Sequence, residues 1–112
     1  MQIAIPAGGE TRARKFYGTV LGLSEIDKPE ALRGRSGVWF EADGFQVHLG
    51  VLEPFVPSIK AHPGFLASNL DDLANRLEVI GAVLSWDTNI PGKRRFYVHD
   101  PFGNRLEFLG SG

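Results

Sequence analysis

The residues with the clearest chemical potential are His48 and Glu107, which occupy equivalent positions in the two halves of the chain. Three pairs of residues repeat at a constant spacing of 59 positions: Gly22 and Gly81, Gly44 and Gly103, His48 and Glu107. Two copies of one structural unit would place both side chains at equivalent points of equivalent strands. Imidazole nitrogen and carboxylate oxygen both bind divalent metal ions, so the repeat indicates a metal site.

Alternation along the predicted strands indicates which way these side chains point. In residues 45–49 the apolar side chains face one way and His48 the other, and in residues 105–108 the same holds for Glu107. The apolar sides must lie under helices, which leaves His48 and Glu107 on the concave sides of their sheets. His62 is predicted on the concave side too, because Phe65 of the same strand matches the helix side.

We therefore expect His48, His62 and Glu107 to converge on a cavity as an open facial set of two imidazoles and one carboxylate. Such a set suits Zn²⁺, Fe²⁺, Mn²⁺, Ni²⁺ or Co²⁺ and leaves positions for water or substrate. His99 has no ligand-type partner in the repeat, and we interpret it as structural.

The elements that would position these residues follow one order in both halves. The first half predicts strands at 2–5, 38–42 and 45–51 and a helix whose apolar face is Ala13, Phe16, Tyr17, Val20 and Leu21. An Asp43-Gly44 turn joins the last two strands, and residues 27–36 show no clear pattern. The second half predicts strands at 62–67, 83–86, 95–100 and 104–109 and a helix that begins after Asn69 and buries Leu70, Leu73, Leu77 and Ile80. A polar loop is predicted at 87–92.

This order predicts an α+β fold of two βαβββ modules, whose concave mixed sheets close a half-barrel around a cavity. We expect one domain over residues 1–112, with module 1 at about 1–52, a linker at 53–60 and module 2 at about 61–110.

The composition narrows the class of function. The chain has 112 residues, 43% hydrophobic and 22% charged, with a formal net charge of −1. Basic residues are not in excess, so the charge does not indicate nucleic-acid binding. No apolar run reaches the length of a membrane span. Without cysteine, a metal must be held by imidazole and oxygen. The N-terminal residues lack a signal-peptide pattern, so we predict a cytoplasmic protein that works on a small molecule.

Two motifs resemble the vicinal oxygen chelate superfamily, which includes glyoxalase I, bleomycin resistance proteins, fosfomycin resistance transferases and extradiol dioxygenases. They are Phe16-Tyr17-Gly18-Thr19-Val20-Leu21-Gly22-Leu23 and the closing stretch from Phe96 to Phe108, which contains Asp100-Pro101-Phe102-Gly103-Asn104 and Glu107. The resemblance covers essentially the whole chain. It implies paired βαβββ modules, commonly in a homodimer whose subunits share cavities.

The resemblance also implies ligand positions. Glu107 matches the ligand on the last strand, His62 the ligand that opens the second module, and His48 a fourth-strand site where some members place Glu. The remaining ligand, a His or Gln on the first strand, would fall one residue before Met1. Gln2 shares its strand face but would lie roughly 6–7 Å further along. Two explanations stay open: translation begins upstream of Met1, or the metal site lacks this ligand.

The predicted function is a metal-dependent lyase, isomerase or dioxygenase whose substrate chelates the metal through vicinal oxygens. Glu107 is the candidate general base, and Trp39, Arg95 and Arg105 are candidate substrate contacts. The cations of loop 91–95 could attract an acidic substrate. Two alternatives stay open: a metal-free binding protein of the bleomycin resistance type, and a structural or regulatory dimer.

Overall fold

The chain folds into two compact units, Met1–Pro57 and Ser58–Gly112. The structure, a computed structural model, describes residues 1–42, 44–57, 62–89, 92 and 94–110. Asp43 of the predicted turn, and Lys60, Pro91 and Lys93 of the predicted linker and loop, lie outside the described residues.

The first unit contains a four-stranded mixed sheet and one helical stretch. Its strands are β1 (Gln2–Ile5), β2 (Ser24–Ile26), β3 (Val38–Ala42) and β4 (Phe45–Val51). Helix α1 (Glu10–Ala13) continues as a π-helix over Arg14–Val20, and a 3₁₀ turn covers Glu30–Leu32. The strand order is β1-β4-β3-β2, in which β1 and β4 are parallel and the other pairs antiparallel.

The second unit repeats that topology. It consists of β5 (Gly64–Ala67), α2 (Leu70–Val79), β6 (Ser85–Asp87), β7 (Arg95–His99) and β8 (Arg105–Gly110). The strand order is β5-β8-β7-β6, with β5 parallel to β8. The predicted α+β class and the βαβββ order of both modules are therefore confirmed.

The first helix differs in kind from the prediction. Its apolar residues Ala13, Phe16, Tyr17 and Val20 are buried as expected, but most of the stretch is π-helical. The backbone N–H of Leu21 donates to the carbonyl of Phe16, five residues back. An apolar stripe at spacings of three and four does not separate the two helix types, because it reports only which side is buried. Gly22 ends the helix with a φ of +83°, the left-handed conformation that favours glycine.

The second helix begins as predicted but ends sooner on its apolar face. The Asn69 side chain accepts a hydrogen bond from the Asp72 N–H at 3.1 Å, which caps the first turn. Ile80, predicted to be buried, is 49% exposed. The helix ends at Val79 and Gly81 turns the chain at a φ of +86°, so Ile80 no longer shares the apolar face.

Strand boundaries also shift. The predicted strand 62–67 begins only at Gly64, and the predicted strand 83–86 is observed at Ser85–Asp87. Strand β2 forms just before the segment that shows no pattern. A three-residue strand is too short for alternation to reveal.

Each sheet buries one face, which fixes where chemistry can occur. In the first unit Val47 and Leu49 are buried, and the Phe40 ring lies 6.2 Å from that of Tyr17 in the helical stretch. In the second unit Leu106 and Phe108 are buried, and α2 contacts β8. The predicted alternation is confirmed, so His48 and Glu107 lie on the sheet faces opposite to these cores.

Candidate functional site

A backbone contact places His62 beside Glu107 in the second unit. His62 precedes β5, and the N–H of Glu107 in β8 donates to the carbonyl of Pro63 at 3.0 Å. Glu107 is also the register partner of Gly64. This parallel pairing brings together two side chains that are 45 residues apart in sequence.

The two side chains form a short, partly buried contact. His62 Nε2 lies 2.8 Å from Glu107 Oε1, and the two side chains are 23% and 12% exposed. The His62 ring also meets Tyr97 edge-on at a centroid distance of 5.4 Å. The imidazole and the carboxylate are therefore held in one orientation on the open face of the sheet.

Arg95 joins Glu107 to a second carboxylate. Its Nη1 lies 3.4 Å from Glu107 Oε2, and its Nη2 donates to Asp87 Oδ2 at 2.7 Å. Within the described residues, its Nε is buried and has no hydrogen-bond partner. Burial alone would lower the pKa of Arg95, but the hydrogen bond and charge of Asp87, with the charge of Glu107, raise it overall.

Asp87 is held ionised by the loop that follows it. The backbone N–H of Asn89 donates to Asp87 Oδ1 at 2.8 Å. This hydrogen bond lowers the pKa of Asp87; burial opposes the shift, and Arg95 adds to it. Glu107, Asp87 and Arg95 thus form a fixed group with a formal charge of −1.

Arg105 lies on the same sheet face, against Tyr97. Its guanidinium carbon is 4.1 Å from the centre of the Tyr97 ring, which is a cation–π contact. Tyr97 is the register partner of Glu107, so the stacked pair borders the acidic group. In the part of the chain that the structure describes, Arg105 forms no ion pair.

The turn between β7 and β8 sets the position of Glu107. Asp100 and Asn104 are 5% and 8% exposed. Asp100 Oδ1 accepts from the N–H groups of Phe102 and Asn104, at 2.9 and 2.8 Å, and Oδ2 accepts from Asn104 Nδ2 at 2.9 Å. Gly103 has a φ of +93°. The Asp-Pro-x-Gly-Asn motif is therefore a turn that fixes the strand register.

In the first unit, His48 occupies the position equivalent to Glu107. It is the register partner of Gln2 in β1, as Glu107 is of Gly64 in β5. Gln2 therefore corresponds to Gly64, and the position equivalent to His62 falls before Met1, where the family resemblance placed the first-strand ligand. This correspondence rests on the strand register, because a constant spacing of 59 would instead match His62 with Ile3.

His48 and Trp39 form a stacked pair. Their ring centroids are 3.6 Å apart and their planes differ by 3°. His48 Nε2 lies 2.9 Å from Gln46 Oε1. Burial, and then the positive charge of the Met1 amino group, lower the pKa of His48, so the imidazole is neutral at pH 7.

The stacked pair lines a pocket of about 330 Å³ that belongs wholly to the first unit. The pocket is lined by Gln2, Lys28, Leu32, Arg35, Ser36, Trp39, His48, Leu49, Gly50 and Val51. Its walls come from three strands and from the segment between β2 and β3.

That segment is tied to the sheet at defined points. Lys28 Nζ donates to the carbonyls of Arg35 and Ser36, at 2.5 and 3.1 Å. The N–H of Gly37 donates to Glu10 Oε2 at 3.3 Å. A Cβ on Gly37 would lie 2.3 Å from the Leu49 carbonyl oxygen, so only glycine allows the segment to approach β4 this closely.

The predicted site residues therefore fall into two groups. His62, Glu107, Arg95 and Arg105 lie on the open face of the second unit, whereas His48 and Trp39 lie in the first. In the described ranges, no group of three or more His, Cys, Asp or Glu is arranged to hold a metal ion. The three-residue ligand set stays a prediction.

Loop 91–95 contributes less free charge than the sequence indicates. Arg94 binds Asp71 through two hydrogen bonds of 2.7 and 3.1 Å, and it lies 5.2 Å from the centre of the Trp86 ring. The hydrogen bond and charge of Arg94 lower the pKa of Asp71. His99 is exposed at the end of β7, opposite Arg105.

Sequence reasoning missed four residues of these sites. Asp87 falls in the predicted polar loop 87–92, and the sequence indicates no role for Tyr97, Lys28 or Arg35. Tyr97 could have been found by strand parity, since it faces the same way as Arg95. Lys28 and Arg35 lie in the unpatterned segment, where spacing gives no signal.

Comparison with known proteins identifies the family. The profile of the Glyoxalase/Bleomycin resistance protein/Dioxygenase superfamily matches residues 2–108, so the chain belongs to that superfamily. No curated protein sequence matches the chain significantly.

Solved structures support the same assignment. A glyoxalase family protein from Bacillus anthracis is 42% identical, with a TM-score of 0.93 over 99% of this chain and 91% of the other. A lactoylglutathione lyase from Agrobacterium tumefaciens is 22% identical, with a TM-score of 0.71 over 99% and 92%. TnmS3, an antibiotic binding protein from Streptomyces sp. CB03234, is 19% identical, with a TM-score of 0.71 over 99% and 93%. The last two show a shared fold.

The helices in the described part of the chain are all too short or too polar to cross a membrane.

Proposed function

We propose that this protein is a metal-dependent enzyme that transforms a small molecule, with His62 and Glu107 as two ligands of a divalent cation. The observation that carries the proposal is the 2.8 Å contact between His62 Nε2 and Glu107 Oε1. Two donors that bind one Zn²⁺-sized ion at adjacent positions are about 3–3.5 Å apart, given metal–ligand distances near 2.1 Å. The observed pair needs only a small adjustment to meet that spacing.

The surroundings of the pair suit a cation in charge and in chemistry. An imidazole and a carboxylate are borderline and hard donors that fit Zn²⁺, Fe²⁺, Mn²⁺, Ni²⁺ and Co²⁺. Arg95 pairs with Glu107 Oε2 and also with Asp87, so the charge of Asp87 balances that of Arg95. Oε1 of Glu107 is left directed at His62, and Glu107, Asp87 and Arg95 together have a formal charge of −1. Water and substrate are the candidates for the remaining positions.

When bound, the cation would supply Lewis-acid polarisation of two adjacent substrate oxygens. The chain's own residues have separate roles. Glu107 is the proposed proton acceptor when its carboxylate is free of the cation, and Oε1 is the accepting atom because Arg95 holds Oε2. Arg95 is a positioning residue in this scheme, whereas Arg105 is the proposed contact for a negatively charged substrate group.

Other expectations accompany this proposal. A small-molecule substrate fits the superfamily, since its members include proteins named for glutathione and antibiotic ligands. A homodimer and a cytoplasmic location stay predictions. The fold does not determine the particular reaction, so we propose only the set of classes: lyase, isomerase or dioxygenase.

The test measures metal binding by protein stripped of metal, using titration calorimetry with Zn²⁺, Mn²⁺, Ni²⁺, Co²⁺ and, under anaerobic conditions, Fe²⁺. At least one ion should bind at one equivalent, and His62→Ala and Glu107→Gln should each weaken binding at least tenfold. His99→Ala is the matched control, because it removes an exposed imidazole from the same unit. Its affinity should equal that of the unsubstituted protein.

Two results would reject the proposal. One is the absence of stoichiometric binding for every ion tested, Fe²⁺ under anaerobic conditions included. The other is binding that His62→Ala and Glu107→Gln leave unchanged, since the ion would then lie elsewhere.

The alternative function is binding of a small molecule without metal. The pocket beside Trp39 and His48 favours it, because that pocket contains no residue of the His62–Glu107 pair. In that case the double variant His62→Ala/Glu107→Ala should retain full affinity for the bound molecule.

A further inference from the structure

We infer that the pocket of the first unit binds a planar, negatively charged aromatic compound, of the aromatic carboxylate class. The inference rests on the first unit alone and does not depend on metal binding by His62 and Glu107. Three features of the pocket carry it: a stacked aromatic pair, two cations that form no ion pair among the described residues, and a fixed loop.

Trp39 and His48 both line the cavity as a parallel stack. Their ring centroids are 3.6 Å apart and their planes differ by only 3°, so each ring covers one face of the other. The ring faces and edges that the stack leaves uncovered offer a planar ligand offset-stacked or edge-on contacts. Leu32 provides apolar surface at the side.

The charge of the pocket is positive. Lys28 and Arg35 line it, and the pocket-lining residues described here include no Asp or Glu. Lys28 Nζ is bound by two carbonyl oxygens, which orient the ammonium group without neutralising it. Arg35 forms no ion pair within the described residues. Two cations beside an aromatic pair favour a ligand that has a carboxylate attached to a ring.

The loop that carries both cations is fixed before any ligand binds. Lys28 closes the loop on itself, and Gly37 holds it against β4 at the Leu49 carbonyl. A preformed site binds more tightly than one whose loop must become ordered on binding, because ordering the loop costs free energy. The volume of about 330 Å³ lies at the lower end of small-molecule pockets, so it suits a compound of one or two rings.

The probe for this site is 2-naphthoate, tested in the presence of EDTA. Trp86→Phe leaves Trp39 as the single tryptophan, so its indole N–H gives one assignable NMR signal. The probe should shift that signal and show saturable binding by calorimetry. Neutral 2-naphthamide should bind about tenfold more weakly than 2-naphthoate. Saturated decahydro-2-naphthoate should bind at least about threefold more weakly than 2-naphthoate.

Two variants locate the charge that is responsible. Arg35→Gln should weaken 2-naphthoate binding about three- to tenfold, because it removes a cation of the pocket. The Arg35 side chain forms no ion pair with another described residue, so the substitution breaks no such contact. Lys15→Gln changes the net charge equally but lies on the exposed side of the helical stretch. It should leave the affinity unchanged.

Any of three results overturns the inference: no shift of the Trp39 signal, equal affinity for naphthoate and naphthamide, or equal effects of Arg35→Gln and Lys15→Gln. The variant Glu107→Gln separates this inference from the proposed function. It should weaken metal binding at least tenfold and leave the binding of 2-naphthoate in EDTA unchanged.

Discussion

Gly37 should be one of the least replaceable residues of the first unit, and its substitution tests the wall of the pocket directly. Its φ of +99° is unfavourable for any residue with a Cβ. A Cβ there would also lie 2.3 Å from the Leu49 carbonyl oxygen and 3.4 Å from its carbonyl carbon. The contact is with backbone, so no side-chain rotation relieves it.

The expected cost of Gly37→Ala has two parts. The backbone conformation costs about 1–2 kcal/mol for an L-residue. Relief of the contact requires the loop to move away from β4, which by analogy with overpacked cores costs about 1–3 kcal/mol. The free energy of unfolding should therefore fall by about 2–5 kcal/mol, a large share of the stability of a small protein.

Two other glycines of the same unit separate these contributions. Gly34 has an ordinary φ and open space around its would-be Cβ, and Gly44 has a φ of +85° with open space. Gly34→Ala should be neutral or stabilise by up to about 1 kcal/mol, whereas Gly44→Ala should cost about 1–2 kcal/mol. Urea unfolding monitored by circular dichroism gives all three values. A Gly37→Ala cost no larger than that of Gly44→Ala would refute the close approach of the loop to β4.

Three further predictions concern single side chains. Asn69→Ala should lower the free energy of unfolding by about 1 kcal/mol through loss of the cap on Asp72, and an unchanged urea midpoint would contradict it. The pKa of His48, measured by NMR titration, should lie below 6.5 because of burial and then the Met1 charge. Neutral His48 contributes to the free energy of unfolding above pH 6.5, and this contribution is lost as pH falls through the pKa of His48 in the native state. His48→Gln should therefore make the free energy of unfolding less dependent on pH in this range. The pKa of Asp87 is lowered by the Asn89 N–H and further by Arg95, so its contribution is present above pH 3.8 and lost below it. Asp87→Asn should reduce the loss of stability on acidification, and an acid unfolding curve of unchanged steepness would count against the assignment.

The fold was open to prediction because its signals are local and repeated. Leu70, Leu73 and Leu77 share a helix face through their spacing, and Asn69 marks the start of that helix. Strand alternation assigned His48 and Glu107 to the open faces for the same reason, since neighbouring side chains point in opposite directions. The errors fall where local signals are weak, as at the three-residue strand β2.

The network around Glu107 was harder to foresee. Arg95 appeared as a substrate contact, but the structure shows both of its terminal nitrogens directed at carboxylates. Asp87 reaches Arg95 across neighbouring strands, at a position that depends on the register of β6 against β7. Register follows from the pairing of whole strands, and no single residue encodes it.

The sequence by itself determined the two βαβββ modules, the faces on which His48, His62 and Glu107 lie, and the family to which the chain belongs. Only the tertiary structure decided that His62 touches Glu107, that Arg95 is shared by two carboxylates, and that Lys28 and Arg35 border an aromatic pocket. The reason is physical. Helix and strand periodicity act between residues a few positions apart, whereas hydrogen bonds and ion pairs depend on distances that form only when strands distant in sequence align.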